Sequence, residues 1–276
     1  MKLYCDKALS QRLERVEALS NADFVTSRAQ MFPESSAKWI DVAGTYAMFD
    51  GVDSPLTQTF GLGLFEEITD NELELIETFF QQHNAPVFHE VSPMSGPSLM
   101  GLLNKRGYQP VELTTVMYKI LSKEDFVVAD SKHEMNTRIL KKGEEEIWAL
   151  TSAAGWSTET GGLTDFMCQF GQIAAHCAGA RPFIAEHNGK PISTGMLYIY
   201  DHVALLAGAS TIPEGRNRGA QSALLDARLR YAAAQGCTLA MMCAAPGSQS
   251  QRNAEKNNFQ VAYTRTKWQA IKNLEG

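Results

Sequence analysis

"PEGRNRGAQSALLDARL", residues 213–229, places a proline, two glycines and two arginines ahead of an amphipathic helix. Two readings compete for it. One is a loop that merely turns into a surface helix. The other is an anion site, because a helix N-terminus carries unpaired amides and a partial positive charge. Gly219 has no Cβ to keep a ligand from the backbone. The amides of Arg218, Gly219, Ala220, Gln221 and Ser222 are placed to form a nest around a phosphate. Arg216 and Arg218 add charge, and Asn217 lies between them. The stretch is neither GxxxxGK[ST] nor GxGxxG.

The flanking sequence gives this loop a setting. After it, Ala220 to Gln235 reads as a helix stopped by Gly236. Ala220, Ala223, Leu224, Ala227, Tyr231 and Ala234 share its apolar face. "CTLAMMCAA" (237–245) is a buried strand, "SQSQRNAEKNNF" (248–259) a helix with Ser248 and Gln251 as a capping box, and "VAYTRTKWQAI" (261–271) a strand. Before it, residues 181–211 hold three strands. Asn188-Gly189 marks the first hairpin and Tyr200-Asp201-His202 the second turn. Helices are expected over 143–156 and 163–179, and a short strand over 137–141. The order is strand, two helices, three antiparallel strands, helix, strand, helix, strand, a mixed α/β (α+β) layout with one central sheet flanked by helices.

The first part of the chain echoes this order. Residues 44–65 read as two strands about a Gly/Asp/Ser/Pro turn. A helix follows over 69–84 with Thr69 and Glu72 as its capping box, then a strand (85–93), a helix (97–108) and a strand (112–121). "LLNKRGYQPVELTTVMYKI" and "SQRNAEKNNFQVAYTRTKW" each run from a helix ending in a cation through an aromatic and a turn into a strand. We expect two pseudo-repeated halves, 1–125 and 126–276, joined through the polar stretch 122–137, which reads as a linker or a bridging strand. The first half lacks a phosphate loop: "FGLGLFEEITDNELEL" has Gly61 and Gly63, but Glu66 and Glu67 follow and no arginine does. Carboxylates there would repel a pyrophosphate.

Composition bounds the function. The chain has 276 residues, 44% of them hydrophobic and 20% charged, with a net charge of −6. This balance supports one large or two ordinary folded domains and argues against bulk nucleic-acid binding. The N-terminus is a charged amphipathic helix, and no apolar run approaches the ~20 residues of a membrane span. The five cysteines form no CxxC pair and have no histidines at zinc spacing, so no metal is expected and the thiols read as reduced. The expectation is a soluble, cytoplasmic protein.

The opening stretch resembles the acetyl-CoA signature of the GNAT N-acetyltransferases, Arg/Gln-x-x-Gly-x-Gly/Ala, with Arg216 and Gly219 matching and Gln221 in place of the final small residue. The order of elements over 137–271 also fits that family, about half the chain. The resemblance implies that the loop holds the pyrophosphate of acetyl-CoA. Ser210, Thr211 and Ile212 on the preceding strand would pair with pantetheine amides, and the thioester would lie between the splayed fourth and fifth strands. Asn253, on the fourth helix, is a further cofactor contact under this reading or simply a surface residue. Trp156, Tyr198 and Tyr200 are candidates for the acceptor pocket, each with ordinary packing as the alternative.

Catalysis departs from the family pattern. The strand "HVALLAGAS" carries no glutamate, and Ala254 occupies the usual tyrosine position. Glu159, in the loop "GWSTETGG", is the candidate base. Water delivery of the proton with positioning as the main effect is a second route, and binding without efficient chemistry a third. The leading expectation is transfer of acetyl from acetyl-CoA to the amine of a small molecule or peptide. The alternatives are an acyl-CoA sensor or regulatory protein, and an unrelated nucleotide- or phosphate-binding protein.

Overall fold

The computed structural model describes residues 4–122, 135–157, 162 and 164–271. The 122–137 stretch expected as a linker, and Glu159 with most of its loop, lie largely outside them. The chain divides into two compact units: residues 1–118 with 243–276, and residues 119–242. The sequence-based halves follow the order of elements along the chain. The compact units differ from them by assigning residues 243–276 to the first unit and residues 119–125 to the second.

The first unit begins with α1 (Lys7–Met31), capped by Asp6, whose carboxylate accepts from Leu9 N. Its sheet runs β1-β2-β3-β4-β11-β5, formed by β1 (Lys38–Val42), β2 (Thr45–Phe49), β3 (Gln58–Phe60), β4 (Phe88–Val91), β5 (Tyr108–Ile120) and β11 (Gln260–Ala270). β3 and β4 are parallel, and β11 lies antiparallel to both β4 and β5. α2 (Asp70–Gln82) and α3 (Pro97–Lys105) bury Leu73, Ile76, Phe80, Leu99 and Leu103 in a core with Tyr108 and Trp268. Also in this unit, α7 (Gln249–Lys256) starts at Ser248, whose Oγ accepts from Gln251 N. The expected capping box is only half formed, because Gln251 Oε1 accepts from Gly247 N.

A buried charge network holds β11 in place. Arg265, 3% exposed, reaches Glu17 at 2.6 and 2.9 Å and Glu14 at 3.3 Å on α1. Its Nε lies 3.0 Å from Glu90 Oε2 on β4, close enough to attract but poorly angled for a hydrogen bond. Lys267 Nζ reaches Glu90 at 3.4 Å, and Tyr263 Oη donates to Glu14 at 2.8 Å. Burial pushes the Glu14 carboxyl up to about 7 from 4.5, against the pull of Arg265 and Tyr263 and with help from Glu17 and Glu90.

The pH consequence follows from linkage. The folded chain holds a proton on Glu14 that the unfolded chain releases nearer pH 4.5, so this stabilisation is complete below about 4.5 and lost as pH rises through about 7. Buried His89, its imidazole pushed down to about 3, adds a rise with pH common to both proteins, so the unfolding free energy of wild type relative to Glu14→Gln, measured in urea, is expected to decline over that window. Equal slopes in the two proteins would contradict the assignment.

The second unit carries β6 (Asn136–Ile139), α4 (Glu145–Trp156), α5 (Thr164–His176), β7 (Ala180–His187), β8 (Lys190–Tyr200), β9 (Val203–Thr211), α6 (Ala220–Ala234) and β10 (Leu239–Ala244). Its strands are ordered β10-β9-β8-β7-β6. The β7–β8 turn is Asn188-Gly189, at φ +52° and +74°, the pair a type I′ hairpin requires. Asp201 and His202, both at positive φ, form the second turn. α4 and α6 cover opposite faces. Thr194 on β8 meets Ser210, whose Oγ donates to the α4 carbonyl of Ser152, whereas neighbouring Gly195 faces Arg228 on α6. The α6 stripe differs from the expected one: Ala234 is exposed, and the buried set includes Arg228 with Ala220, Ala223, Leu224 and Ala232.

Candidate functional site

Two breaks in the second unit's sheet meet on β9. β9 and β10 are parallel but pair only over Val203–Leu205 with Leu239–Met241. From Leu206 to Thr211, that edge of β9 has no strand partner among the described residues. On its other edge β9 pairs with β8, but the register slips: Met196 faces Ala207 while Thr194 faces Ser210. β9 therefore bulges at Gly208–Ala209, with Gly208 at φ +58°.

Beyond the free edge the chain turns through Pro213–Gly215, a 3-10 turn packed against Ile192, and opens α6. Asn217 and Gly219 both take left-handed backbone, at φ +59° and +79°. Gly219 is the N-cap of α6, so no side chain caps the helix, and its first turn contains no acid. A Cβ built at Gly219 would meet nothing within 4 Å, which leaves the approach to the Ala220, Gln221 and Ser222 amides open.

The expected contact residues divide into two groups. Arg218, Asn217, Gly219, Gln221 and Ser222 are exposed around the helix start, and Ala220 is buried beneath it. Arg216 is exposed as well, but its guanidinium is engaged: its Nε donates to Thr211 O at 3.3 Å and its Nη2 to Gly155 O at 3.2 Å, tying the end of β9 to α4. Ser210 and Thr211 are buried, with Ser193 Oγ donating to Ser210 O at 2.6 Å, while Ile212 N donates to Ile192 O at 3.0 Å. The close approach of Gly155 to Ser210 leaves no room for a Cβ.

The expected acceptor residues are spread out. Trp156 is half-buried as the last residue of α4. The Tyr198 ring packs on the backbone of Gly179, whose Cβ would lie 2.2 Å from it. Tyr200 is 45% exposed and pairs with Val203, at the other end of β9 from the loop. That separation is roughly 26 Å at ~3.3 Å per residue. Asn253 belongs to the first unit, on α7, where its side chain accepts from Gln249. Ala254 is buried and carries no proton to give.

Sequence reasoning missed Arg228. It is 4% exposed and makes no ion pair among the described residues. Burial alone pushes its guanidinium down to about 10. Its place on the helix face, at i+4 from Leu224 and i−4 from Ala232, was the available signal.

The corresponding place in the first unit is built differently. α2 is capped by Thr69, whose Oγ1 accepts from Asn71 N, and Glu72 accepts from Thr69 N at 3.0 Å. Asp70 and Glu72 occupy its first turn. The Gly61–Phe65 loop is filled from within. Leu62 and Leu64 are buried, Gln11 and Ser95 donate to their carbonyls, and the Arg15 guanidinium sits 3.9 Å from the centre of the Phe65 ring.

A parallel pair that stops early, followed by an uncapped, glycine-started helix, defines a class by its architecture: α/β proteins whose helix N-terminus is open to an anion. Residues 145–259 match the acetyltransferase (GNAT) family, and this part of the chain is a GNAT domain. A GCN5-related N-acetyltransferase from Kribbella flavida has a similar structure, with TM-score 0.59 and 18% identity over 91% of this chain and 95% of that one. One from Sphaerobacter thermophilus gives 0.54 and 15%, over 84% and 78%. A tandem GNAT protein from the clavulanic acid biosynthesis pathway gives 0.53 and 12%, over 73% and 70%. At these identities the likeness is one of fold. The fold is the expected mixed α/β GNAT architecture in two halves. No curated protein matches the sequence.

Proposed function

We propose that the chain is an acetyl-CoA-dependent N-acetyltransferase with one working donor site, in the second unit. One contrast carries this reading. α6 begins at an open glycine with free amides and no acid, whereas α2 begins with a complete side-chain cap and two carboxylates. A pyrophosphate is favoured at the first and repelled at the second.

In this reading the amides of Gly219 to Ser222 and the Arg218 side chain hold the pyrophosphate, and Arg216 braces the loop through Thr211 and Gly155. The unpaired edge of β9 takes the pantetheine amides. β9 has no acid, so the acceptor amine loses its proton to another group or to water. Glu159 is the sequence-based candidate for that group. The amine itself belongs to a small molecule or a peptide.

Turnover with saturating acetyl-CoA over a panel of small amines and peptides tests the reading. Thiol release that depends on one class of amine is the expected result. Tight acetyl-CoA binding without release on any amine would favour an acyl-CoA sensor instead.

A further inference from the structure

The β8–β9 bulge has a cation built into it. Arg228 Nη1 donates to Met196 O on β8 at 3.0 Å and to Ala207 O on β9 at 3.4 Å, and its Nε donates to Leu224 O at 3.2 Å. Met196 and Ala207 are the paired residues where the register slips. Gly195 provides the room: a Cβ there would lie 2.9 Å from Arg228 Cζ and Nη1. The chain thus supplies both the guanidinium and the space it fills.

Stability alone does not explain an arginine here. A buried charge without a counter-ion carries a desolvation penalty that an apolar side chain of similar volume would avoid. What the guanidinium adds is geometric. A bulge interrupts the ladder and leaves carbonyls short of donors. A planar donor group reaching one carbonyl on each strand sets how far the strands separate and how β9 turns beyond the slip.

We propose that Arg228 is a positioning residue: by fixing the β8–β9 bulge, it sets the free edge of β9 from Leu206 to Ser210 at the depth that receives the thioester end of acetyl-CoA. This rests on the acetyl-CoA reading above. Arg228 lies nine residues beyond Gly219, roughly 13 Å along α6 at ~1.5 Å per residue. Its effect on the thioester end is therefore separable from the grip on the pyrophosphate.

Calorimetric titration of the full chain with acetyl-CoA and with ADP tests the assignment in wild type, Arg228→Met, Arg228→Lys and Gly195→Ala. Gly195→Ala displaces the guanidinium without altering α6, and Arg228→Lys keeps a cation with a single donor group. ADP affinity is expected to stay within about twofold of wild type throughout. Acetyl-CoA affinity is expected to fall about tenfold or more in Arg228→Met and Gly195→Ala, and less in Arg228→Lys. Equal losses for ADP and acetyl-CoA would overturn the proposal, since Arg228 would then merely hold α6 in place. Unchanged acetyl-CoA affinity in the variants would overturn it while leaving the donor-site reading intact. A wild-type chain that binds neither ligand would remove both.

Discussion

Gly219→Glu is expected to lower acetyl-CoA affinity by at least about a hundredfold while the chain remains folded. The fold tolerates the change for two reasons. No atom stands within 4 Å of the new Cβ. The left-handed backbone at φ +79° costs a non-glycine residue about 1–2 kcal/mol, but a carboxylate at a helix N-terminus returns about 0.3–1 kcal/mol. The ligand fares worse. A carboxylate ~4 Å from a phosphate charge is opposed by up to about 4 kcal/mol at a surface-like dielectric, and a factor of ten needs only about 1.4. Gly219→Ala carries the backbone strain without the charge, so its loss should be much smaller. Equal losses in the two variants would show that loop conformation, rather than the phosphate contact, had been measured.

The largest stability effect is expected at Arg265. Arg265→Met leaves Glu14, Glu17 and Glu90 facing each other with Lys267 Nζ, 3.4 Å from Glu90, as the remaining cation paired with them among the described residues. Breaking a buried ion pair from one side typically costs about 3–5 kcal/mol. Phe60 also loses the cation held 5.0 Å from its ring centre. Because the orphaned carboxylates can take up protons, the loss should shrink as pH falls toward 5. Urea unfolding of wild type and variant at pH 7.5 and pH 5 measures both effects. A deficit under about 1 kcal/mol at both pH values would mean that the network is already neutral and does little to hold β11.

Local signals carried much of the fold into the sequence. Asn188-Gly189 marks its hairpin because the turn needs two positive φ angles, and Thr69 with Glu72 caps α2 because the orphan amides lie at that spacing. Non-local features were less legible. β1 gave no clear alternation, being half-exposed along Lys38–Val42. α1 runs on to Met31 and buries Glu14, which only its distant partner Arg265 makes intelligible. Arg228 sits in a helical position where an apolar residue is the ordinary choice, and only the bulge across from Gly195 explains it. The loop at 213–222 was legible because its chemistry is contiguous. The hydrogen bond from Arg216 to the Gly155 carbonyl joins residues far apart in sequence and was not legible there.

One titration bears most directly on the central claim: acetyl-CoA into the wild-type chain by calorimetry, with ADP as the second ligand. The account predicts binding at one acetyl-CoA per chain, with ADP competing. No binding, or two equivalents per chain, would contradict it. The first outcome would leave residues 213–229 as a turn before a helix, and the second would mean that the filled loop at Gly61–Phe65 opens to a ligand after all.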